Sequence, residues 1–455
     1  MSNPGDADAR IITDARELTA YLVAGCKPAS AYSIGTEHEA FGFRLAGFAP
    51  PGYAQAGGIR DLLLAIEQAE GLSPIFDQDN IIGLKGQGAA ISLEPGGQFE
   101  LSGATLADLH ATRAELLAHI ARLRRLAPGL GLGFAPLGFH PLARRADMPF
   151  MPKGRYAIMR DYMPRVGTRG LDMMLRTCTV QVNLDFSSSA DMAAKIRVAA
   201  ALQPLATAVF ANSPFFEGKP SGLLSNRAQV WTDTDAARTG LPAMFFEDGF
   251  SFEAYVEWLL EVPMYFVYRD GVYHAAAGAS FRDFMEGRLE SLPGLRATIG
   301  DFADHSTTAF PDVRLKRYIE TRGADSGSPA MMLAQSAFWT GLFYDPAALA
   351  AAWALARRIS REQALALRAV VPAQGLGTGF GKGTLRTLLA EVLAIADDGL
   401  KARARLNDRG EDERIFLHPL HEIAQGRPTQ AEHWLARYHG AWQGDVTRIF
   451  AEAAF

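Results

Sequence analysis

The sequence predicts an α+β fold built on an antiparallel sheet, and three observations lead to this prediction. Segments with the period-two alternation of β-strands occur throughout residues 1–330, most clearly in residues 177–186 (TCTVQVNLDF). They do not alternate regularly with helical segments, as they would in a doubly wound parallel sheet. From about residue 331 the chain becomes rich in Ala and Leu at helical spacing. We therefore expect a mixed region, residues 1–330, with a helical region, residues 331–455, packed on it, either as two domains or as a single one.

The elements of the first part follow from apolar spacing and from the residues that end them. The first dozen residues are small and polar and are expected to fray. Tight turns are indicated within one strand-rich segment, residues 81–102, by the glycines at 83, 86, 88, 96 and 97. The other predicted strands are residues 33–43, 131–138 and 177–186. The predicted helices are residues 14–25, 59–70 (ended by Gly71), 106–126, 155–162 and 191–210.

Residues 177–186 have one apolar side and one polar side. The apolar side holds Cys178, Val180, Val182, Leu184 and Phe186, and the polar side holds Thr179, Gln181, Asn183 and Asp185. The polar side suits either solvent or a substrate floor. In the last part of the chain, helical spacing predicts helices at residues 332–335, 346–356, 361–369, 385–405 and 430–454.

The composition excludes several classes of protein. A net charge of -5 over 455 residues gives no broad electropositive field, which argues against nucleic acid as the main partner. The sequence has no apolar run of about 18 residues and its N-terminus does not resemble a signal peptide, so we expect no membrane association. Cys26 and Cys178 are too few for a disulfide framework or a thiolate metal site. We expect a cytoplasmic protein without a cysteine-based redox switch.

Glutamates on short predicted strands are the strongest functional signal. Glu37 and Glu39 lie two residues apart and therefore point to one face of their strand. Glu94, Glu100 and Glu320 lie in other predicted strands. Crowded carboxylates repel one another unless a cation lies among them, and Mg²⁺ is usually held by carboxylates together with phosphate oxygens and water. The pattern predicts a Mg²⁺–nucleotide site on a sheet.

Residues 314–322 (RLKRYIETR) supply the complementary charge. In a strand, one face would carry Arg314, Lys316, Tyr318, Glu320 and Arg322. A solvated edge strand protected by its charges is the alternative interpretation. Arginine suits a phosphate or carboxylate ligand, because its planar guanidinium offers two parallel donors. Residues 153–176, with one lysine and five arginines, are predicted to form a loop on the substrate side.

Several other motifs favour structural explanations. Residues 375–384 (GLGTGFGKGT) resemble a phosphate loop, but Gly383 stands where Ser or Thr would bind Mg²⁺, and we predict a turn before the next helix. The glycines of residues 83–88 predict a hairpin. His38 alternates away from its flanking glutamates and is expected in the core, whereas His305 fits a core or a functional position equally well.

Taken together in one order, several motifs resemble glutamate–cysteine ligase of the plant and proteobacterial type. They are GTEHEAFGF (35–43), ISLEPGGQFELSGA (91–104), RDYMP (160–164), TVQVNLDF (179–186), ANSPFFEGKPSG (211–222), VWTDTDAARTGLP (230–242) and FPDVRLKRYIETRGAD (310–325). The resemblance implies a glutamine-synthetase-like curved antiparallel sheet flanked by helices. It implies an enzyme that uses Mg²⁺ and ATP to phosphorylate the glutamate γ-carboxylate. The cysteine amine then displaces phosphate to give γ-glutamylcysteine, in the first step of glutathione biosynthesis.

Carried over position by position, the resemblance also implies residue roles. The metal ligands would be Glu37, Glu39, Glu94, Glu100 and Glu320, and the catalytic residues Arg322 and Glu320. The residues that bind nucleotide and substrate would be Gln181, Asn183, Arg227, Trp231, Arg238 and Lys316. The partners would be glutamate, cysteine and ATP, and the protein would be a monomer or a homodimer.

Two alternatives stay open at this point: a related ligase that joins glutamate to another amine, and a non-catalytic binding protein on a ligase scaffold. If the carboxylates repel one another, Glu37→Gln or Glu320→Gln should abolish turnover and leave the metal-free fold intact or firmer.

Overall fold

The computed structural model describes residues 8–455, so the first seven residues of the predicted frayed end lie outside the described part. The helices are, in chain order, α1 (Ala15–Val23), α2 (Ile59–Glu70), α3 (Leu109–Leu126), α4 (Gly154–Tyr162), α5 (Gly170–Arg176), α6 (Ser189–Val209), α7 (Asn226–Val230), α8 (Phe252–Glu261), α9 (Phe281–Met285), α10 (Ile299–Thr307), α11 (Pro329–Phe343), α12 (Pro346–Ala356), α13 (Arg361–Gln374), α14 (Leu385–Arg403), α15 (His418–Ala424), α16 (Gln430–His439) and α17 (Ile449–Ala453).

The strands are, in the same order, β1 (Ile34–Arg44), β2 (Ser73–Asp77), β3 (Asn80–Gly86), β4 (Ala89–Leu93), β5 (Phe99–Ser102), β6 (Leu132–Ala135), β7 (Thr179–Leu184), β8 (Phe215–Phe216), β9 (Lys219–Pro220), β10 (Thr239–Gly240), β11 (Phe266–Arg269), β12 (Val272–Ala275), β13 (Phe310–Pro311), β14 (Val313–Leu315), β15 (Ile319–Asp325), β16 (Gly379–Phe380) and β17 (Gly383–Thr384).

Nine strands form one sheet in the order β14-β15-β7-β1-β5-β4-β3-β2, and β6 also pairs with β1. The pairs within this sheet are antiparallel. The eleven-residue strand β1 is its centre, because its first half pairs with β5 on one side and β7 on the other, and its second half pairs with β6. The predicted α+β fold with an antiparallel sheet is confirmed.

One face of the sheet packs on helices. Val180, Val182 and Leu184 of β7 are buried in the same apolar cluster as side chains of α6 and α11. Burying a Val or Leu side chain contributes about 1.5–3 kcal/mol, so this face accounts for much of the stability of the sheet. The period-two pattern predicted for residues 177–186 therefore identifies the packed side of β7 correctly. The opposite side of β7 carries the polar residues and faces a cavity.

The C-terminal helices share this core. Trp339 of α11 and Leu389 of α14 are buried in the same cluster as Val182. Helix α11 begins at Pro329, capped by the side chain of Ser328, which matches the change in composition near residue 330. The division of the chain into regions 1–330 and 331–455 stays a prediction. Within residues 8–455, no helix combines the length and the apolar character needed to cross a membrane.

Three predicted elements differ in the structure. Residues 314–322 are not one strand but a hairpin of β14 and β15, because the chain reverses at residues 316–318, where the Lys316 N–H donates to the Tyr318 carbonyl at 2.8 Å. Residues 153–176 are not a loop, since they contain α4 and α5. Residues 430–454 form α16 and α17 with a break between them, where Gly440 and Gly444 interrupt the helical spacing.

Candidate active site

A cavity opens on the polar face of the sheet. Its volume is about 810 Å³, including the solvent-filled space at its opening. Strands β1, β5 and β7 form its floor, and the turn between β4 and β5 lies at one side. Helices α4, α5 and α7 and the β14–β15 hairpin form its walls. The candidate residues from the sequence that line it are Glu37, Glu39, Glu94, Glu100, Gln181, Arg227, Trp231 and Arg322.

The strand register brings the glutamates together. In the antiparallel pair of β1 and β5, Glu39 lies directly opposite Glu100. Glu37 lies opposite Gln181 of β7. Because directly opposed residues of an antiparallel pair place their side chains on the same face, carboxylates distant in the sequence converge above β1.

This convergence is electrostatically unfavourable in the absence of a cation. Burial, followed by the charges of Glu37 and Glu94, raises the pKa of Glu100 to about 7. Burial raises the pKa of Glu39 well above its ordinary value, with added repulsion from Glu100 and Glu94. The backbone N–H of Thr179 donates to the Glu39 carboxylate at 2.8 Å, which partly offsets the burial. Burial and mutual repulsion thus disfavour the charged forms of Glu39 and Glu100.

Glu37 sits beside the polar row of β7. Gln181 Nε2 donates to its Oε2 at 2.8 Å and Asn183 Nδ2 donates to its Oε1 at 3.2 Å. The polar side of β7 therefore faces the cavity rather than bulk solvent, which decides between the two interpretations that the sequence left open. Both amides orient the Glu37 carboxylate.

Glu320 has a different environment from the other four glutamates. Its buried carboxylate is ion-paired to Arg314 Nη2 at 2.7 Å, Lys316 Nζ at 3.1 Å and Arg322 Nη1 at 2.5 Å. Although burial disfavours the charged form, these three cations hold the pKa of Glu320 well below its ordinary value. The expectation that Glu320 suffers repulsion is wrong, because the hairpin register places Arg314 directly opposite it.

Arg322 connects the cationic cluster with the glutamate floor. Its Nη1 donates to Gln181 Oε1 as well as to Glu320, and Gln181 in turn donates to Glu37. Nη2 of the buried Arg227 donates to the Arg322 carbonyl at 2.6 Å. The guanidinium of Arg322 thus lines the cavity at the end of a continuous hydrogen-bonded chain.

Arg238 does not reach the cavity. Its side chain is fully buried, with Nε donating to Asp235 at 2.6 Å, Nη1 to the Thr308 carbonyl and Nη2 to the Pro263 carbonyl. The ring of Tyr265 lies 3.8 Å from its guanidinium carbon. The prediction that Arg238 holds substrate is contradicted by this geometry, because each nitrogen is already used within the fold.

Side chains from residues 153–176 complete the cavity, although no role was assigned to them individually. Arg155, Tyr156 and Met159 of α4 and Met173 and Met174 of α5 line it. The Tyr156 hydroxyl donates to the Leu93 carbonyl at 2.8 Å and lies 3.3 Å from a Glu94 oxygen, which anchors α4 to the β4–β5 turn. The basic composition of this segment was the signal that pointed to the cavity.

Glycine permits the close approach of this turn to α5. A Cβ on Gly96 would lie 2.2 Å from the Leu175 carbonyl oxygen, and Gly97 has a φ of +83°. A side chain at Gly96 would push Glu94 and Glu100 away from α5. The PGG sequence therefore sets the width of the cavity.

The two histidines named above are both buried. His38 lies on the packed face of β1, away from the cavity, as predicted. His305 lies in α10, with Nε2 2.9 Å from the Leu259 carbonyl and its ring stacked on Phe281. Burial lowers the pKa of each to about 4, so both are neutral. His305 is a core residue.

No group of three acidic, histidine or cysteine side chains within residues 8–455 is placed to hold one metal ion by itself. The carboxylates lie close to one another on the cavity floor, but no three of them surround a single point. Mg²⁺ commonly takes only one or two carboxylates and completes its shell with substrate phosphate oxygens and water, so such a set fits a metal that arrives with a nucleotide.

The fold is that of a carboxylate–amine ligase. Glutamate–cysteine ligase from Francisella tularensis, solved in complex with AMP, aligns with a TM-score of 0.54 at 14% identity, over 92% of this chain and 88% of that chain, which shows the shared fold. Among curated relatives, the chloroplastic glutamate–cysteine ligase of Medicago truncatula is 47% identical over 100% of this chain and 88% of its own length. That of Arabidopsis thaliana is 49% identical over 96% and 82%.

The model of glutamate–cysteine ligase family 2 matches residues 33–452, and the chain belongs to this family. The predictions of a ligase fold, of a ligase activity and of glutamate–cysteine ligation are confirmed by this membership and by the relatives. The predicted cytoplasmic location is contradicted, because the curated relatives are named chloroplastic enzymes. A low cysteine count indicates a reducing compartment but does not distinguish one reducing compartment from another. The oligomeric state stays a prediction.

Proposed function

We propose that the cavity binds Mg²⁺–ATP over the glutamates of β1, β5 and the β4–β5 turn, and joins the γ-carboxylate of glutamate to the amine of cysteine. The observation that carries this proposal is the placement of opposite charges. Buried carboxylates lie on the floor of a single cavity, and Arg322 lines the wall beside them, hydrogen-bonded to the Gln181 side chain that also contacts Glu37. Family membership supports the substrates, and the AMP complex of the Francisella enzyme supports an adenine nucleotide.

Four glutamates are proposed to hold Mg²⁺: Glu37, Glu39, Glu94 and Glu100. The donor set fits, because the raised pKa values of Glu39 and Glu100 report buried negative charge that a cation would relieve. When bound, Mg²⁺ supplies charge neutralisation at the phosphate oxygens. For Glu320 we propose a different role from the one implied by the resemblance: its charge is neutralised by three side chains, so it holds Arg314, Lys316 and Arg322 in place.

The chemistry has two steps. An oxygen of the glutamate γ-carboxylate attacks the γ-phosphorus of ATP, the bond to ADP breaks, and an acyl phosphate forms. The amine nitrogen of cysteine then forms a bond to the acyl carbon, the C–O bond breaks with its electron pair on phosphate, and the surplus amine proton passes to phosphate or water. Arg322 is proposed to bind the transferred phosphoryl group with its planar donors, so that catalysis consists mainly of positioning and electrostatic stabilisation.

Phosphate release from ATP tests this proposal. With glutamate and Mg²⁺ present, cysteine should support turnover far better than a panel of other amines, and Glu39→Gln should remove it. The matched control is Glu253→Gln on the exposed surface of α8, which should leave turnover unchanged. Preference for another amine would identify a related ligase. Absence of turnover with every amine would favour a binding protein.

A further inference from the structure

A second pocket lies on the other side of α5 from the main cavity. Its volume is about 990 Å³, including the solvent-filled space at its opening. Because successive residues of a helix are turned by about 100°, Met173 and Met174 line the main cavity while Asp172, Leu175 and Arg176 line this second pocket. Within the described part of the chain the two share no lining residue. We call the second one the arginine pocket.

The arginine pocket carries an excess of positive charge. Among the described residues that line it, two are carboxylates, Asp172 and Glu217, and five are arginines: Arg144, Arg145, Arg160, Arg169 and Arg176. Five cations against two anions leave a surplus of three. Arg160 has a further partner in the exposed Asp161 at 3.4 Å, which still leaves a surplus of two. A pocket with such a surplus attracts an anionic ligand.

The buried carboxylate of Asp172 organises three of these arginines. Arg145 Nη2 lies 2.7 Å from it, and the Nη1 atoms of Arg169 and Arg176 each lie 3.4 Å from it. Although burial opposes the charged form, the arginines lower the pKa of Asp172. The side chains of Arg145 and Arg169 are still 41% and 43% exposed, so part of each guanidinium is open to a ligand. One carboxylate thus fixes three guanidiniums and neutralises the charge of only one.

Arg176 supplies donors that the fold does not use. Its side chain is 1% exposed, and its guanidinium carbon lies 4.7 Å and 4.4 Å from the ring centres of Phe139 and Phe216. Nη1 contacts Asp172 and Glu217, but the buried Nε and Nη2 have no acceptor within residues 8–455. Buried donors are usually satisfied. Donors left in this way at the wall of a pocket are typical of an oxyanion site, which is a second indication beside the surplus charge.

The arginine pocket also has an apolar side, formed by Leu171, Leu175 and Phe216. An inorganic anion would leave these side chains uncovered, whereas an organic anion would cover them with its apolar part. A phosphate group presents three strong acceptor oxygens, so several guanidiniums can bind it at once through planar pairs of donors. The combination of several arginines with an apolar wall therefore fits an organic phosphate.

We infer that the arginine pocket binds a small organic phosphate. Arg145 and Arg169 hold the phosphate oxygens, and the apolar side contacts the rest of the molecule. The ligand is not a reactant, because α5 separates it from the glutamates of the main cavity. This inference is independent of the proposed function, since it concerns a site with other residues.

Titration calorimetry of the full chain with phenyl phosphate, without Mg²⁺ and nucleotide, tests the assignment. We expect saturable binding that is about tenfold tighter than that of inorganic phosphate, because the phenyl ring is buried against the apolar side. Arg169→Gln should weaken the binding of phenyl phosphate about tenfold, since a charge-assisted hydrogen bond is lost. The control is Arg282→Gln, which should leave the affinity unchanged. Arg282 is 42% exposed and also paired with a carboxylate, but it lies outside the pocket.

Two further variants separate this site from a folding defect and from the main cavity. Leu171→Gln keeps the charge, and it should weaken the binding of phenyl phosphate but not that of inorganic phosphate. Arg322→Lys, in the main cavity, should leave the affinity for phenyl phosphate unchanged. Weaker binding in Arg322→Lys with unchanged binding in Arg169→Gln would place the phosphate in the main cavity and overturn the assignment. Equal affinities for the two phosphates, or no measurable binding of phenyl phosphate to the wild-type protein, would also overturn it.

Discussion

The two faces of β1 and β7 differ sharply, although alternate residues of the same two strands carry them. On the packed face, Ile34, Val182 and Leu184 are fully buried among apolar side chains of the helices. On the cavity face, Glu37 and Gln181 alternate with them and form a polar floor. The comparison teaches that one face supplies the stability with which the other holds an unfavourable arrangement of charge.

We expect the largest loss of stability from a substitution in the ion-paired cluster around Glu320. Glu320→Gln leaves Arg314, Lys316 and Arg322, whose side chains are 6%, 12% and 12% exposed, without their shared buried partner, and breaking a buried pair costs about 3–5 kcal/mol. We expect a loss of that order in the free energy of unfolding measured with urea, together with loss of turnover. The structure thus reverses the sequence-based expectation of a firmer fold for this variant.

The matched control for Glu320→Gln is Glu391→Gln, since Glu391 forms an exposed pair with Arg358 at 3.0 Å. An exposed pair contributes about 0–1 kcal/mol. Equal destabilisation by the two substitutions would show that the cavity-face cluster has no special energetic role.

Arg322→Lys should affect activity rather than stability. An ammonium keeps the charge beside Glu320 but lacks the planar pair of donors, so we expect kcat to fall about 10²–10³-fold. The melting temperature should stay close to that of the wild type. Arg317→Lys, at the exposed turn of the same hairpin, serves as the control. Near-normal turnover in Arg322→Lys would remove this guanidinium from the mechanism.

Lowering the pH should destabilise the folded protein, because a histidine buried in its core is neutral. The pKa of His305 is lowered to about 4, mainly by burial, from its ordinary 6.5. The unfolded chain therefore binds a proton below pH 6.5 that the folded chain does not bind until about pH 4. The contribution of His305 to the free energy of unfolding is fully present above pH 6.5. It is lost as the pH falls from 6.5 to about 4, at up to about 1.4 kcal/mol per pH unit.

Urea unfolding at several pH values checks this sign. His305→Gln should reduce the slope of stability against pH in that window. Substitution of His418, which is exposed, should not change it. A slope that is unchanged in His305→Gln would mean that the fold does not lower the pKa of His305.

We expect the smallest loss of stability from a substitution on the packed face of β1. Ile34→Val removes one buried methylene group and should lower the free energy of unfolding by about 0.5–1.5 kcal/mol, with activity per folded molecule unchanged. Ile415→Val, at an exposed position, should have a smaller effect. A large loss of activity in Ile34→Val would contradict the separation between the two faces.

The sequence predicted the features that depend on local periodicity. Glu37 and Glu39 on one face, and the apolar row of β7, follow from the period of two within a strand. The shared face of Arg314 and Glu320 was also predicted, although for the wrong reason. The hairpin register of β14 and β15 sets these residues opposite each other, and a continuous strand would have placed them on the same face too.

Features that depend on tertiary distance were not predictable from one sequence. Arg227 and Arg238 lie close together in the sequence, yet only Arg227 lines the cavity, because the short helix α7 ends between them. Arg368 lies in an amphipathic helix whose composition is ordinary. Its approach to Asp312 depends on how α13 packs against α6. Such contacts are fixed by packing of the whole chain and leave no local pattern.

The position of β1 has a consequence for the dynamics of the protein. Its amides near Glu37 and Glu39 lie between neighbouring strands on both sides, so they cannot be released by fraying of an edge. Their hydrogen exchange should require opening of the whole sheet and should be among the slowest in the chain. The glutamates proposed to hold Mg²⁺ would then keep their spacing between turnovers, and adjustment to each substrate would fall to the peripheral helices α4 and α5.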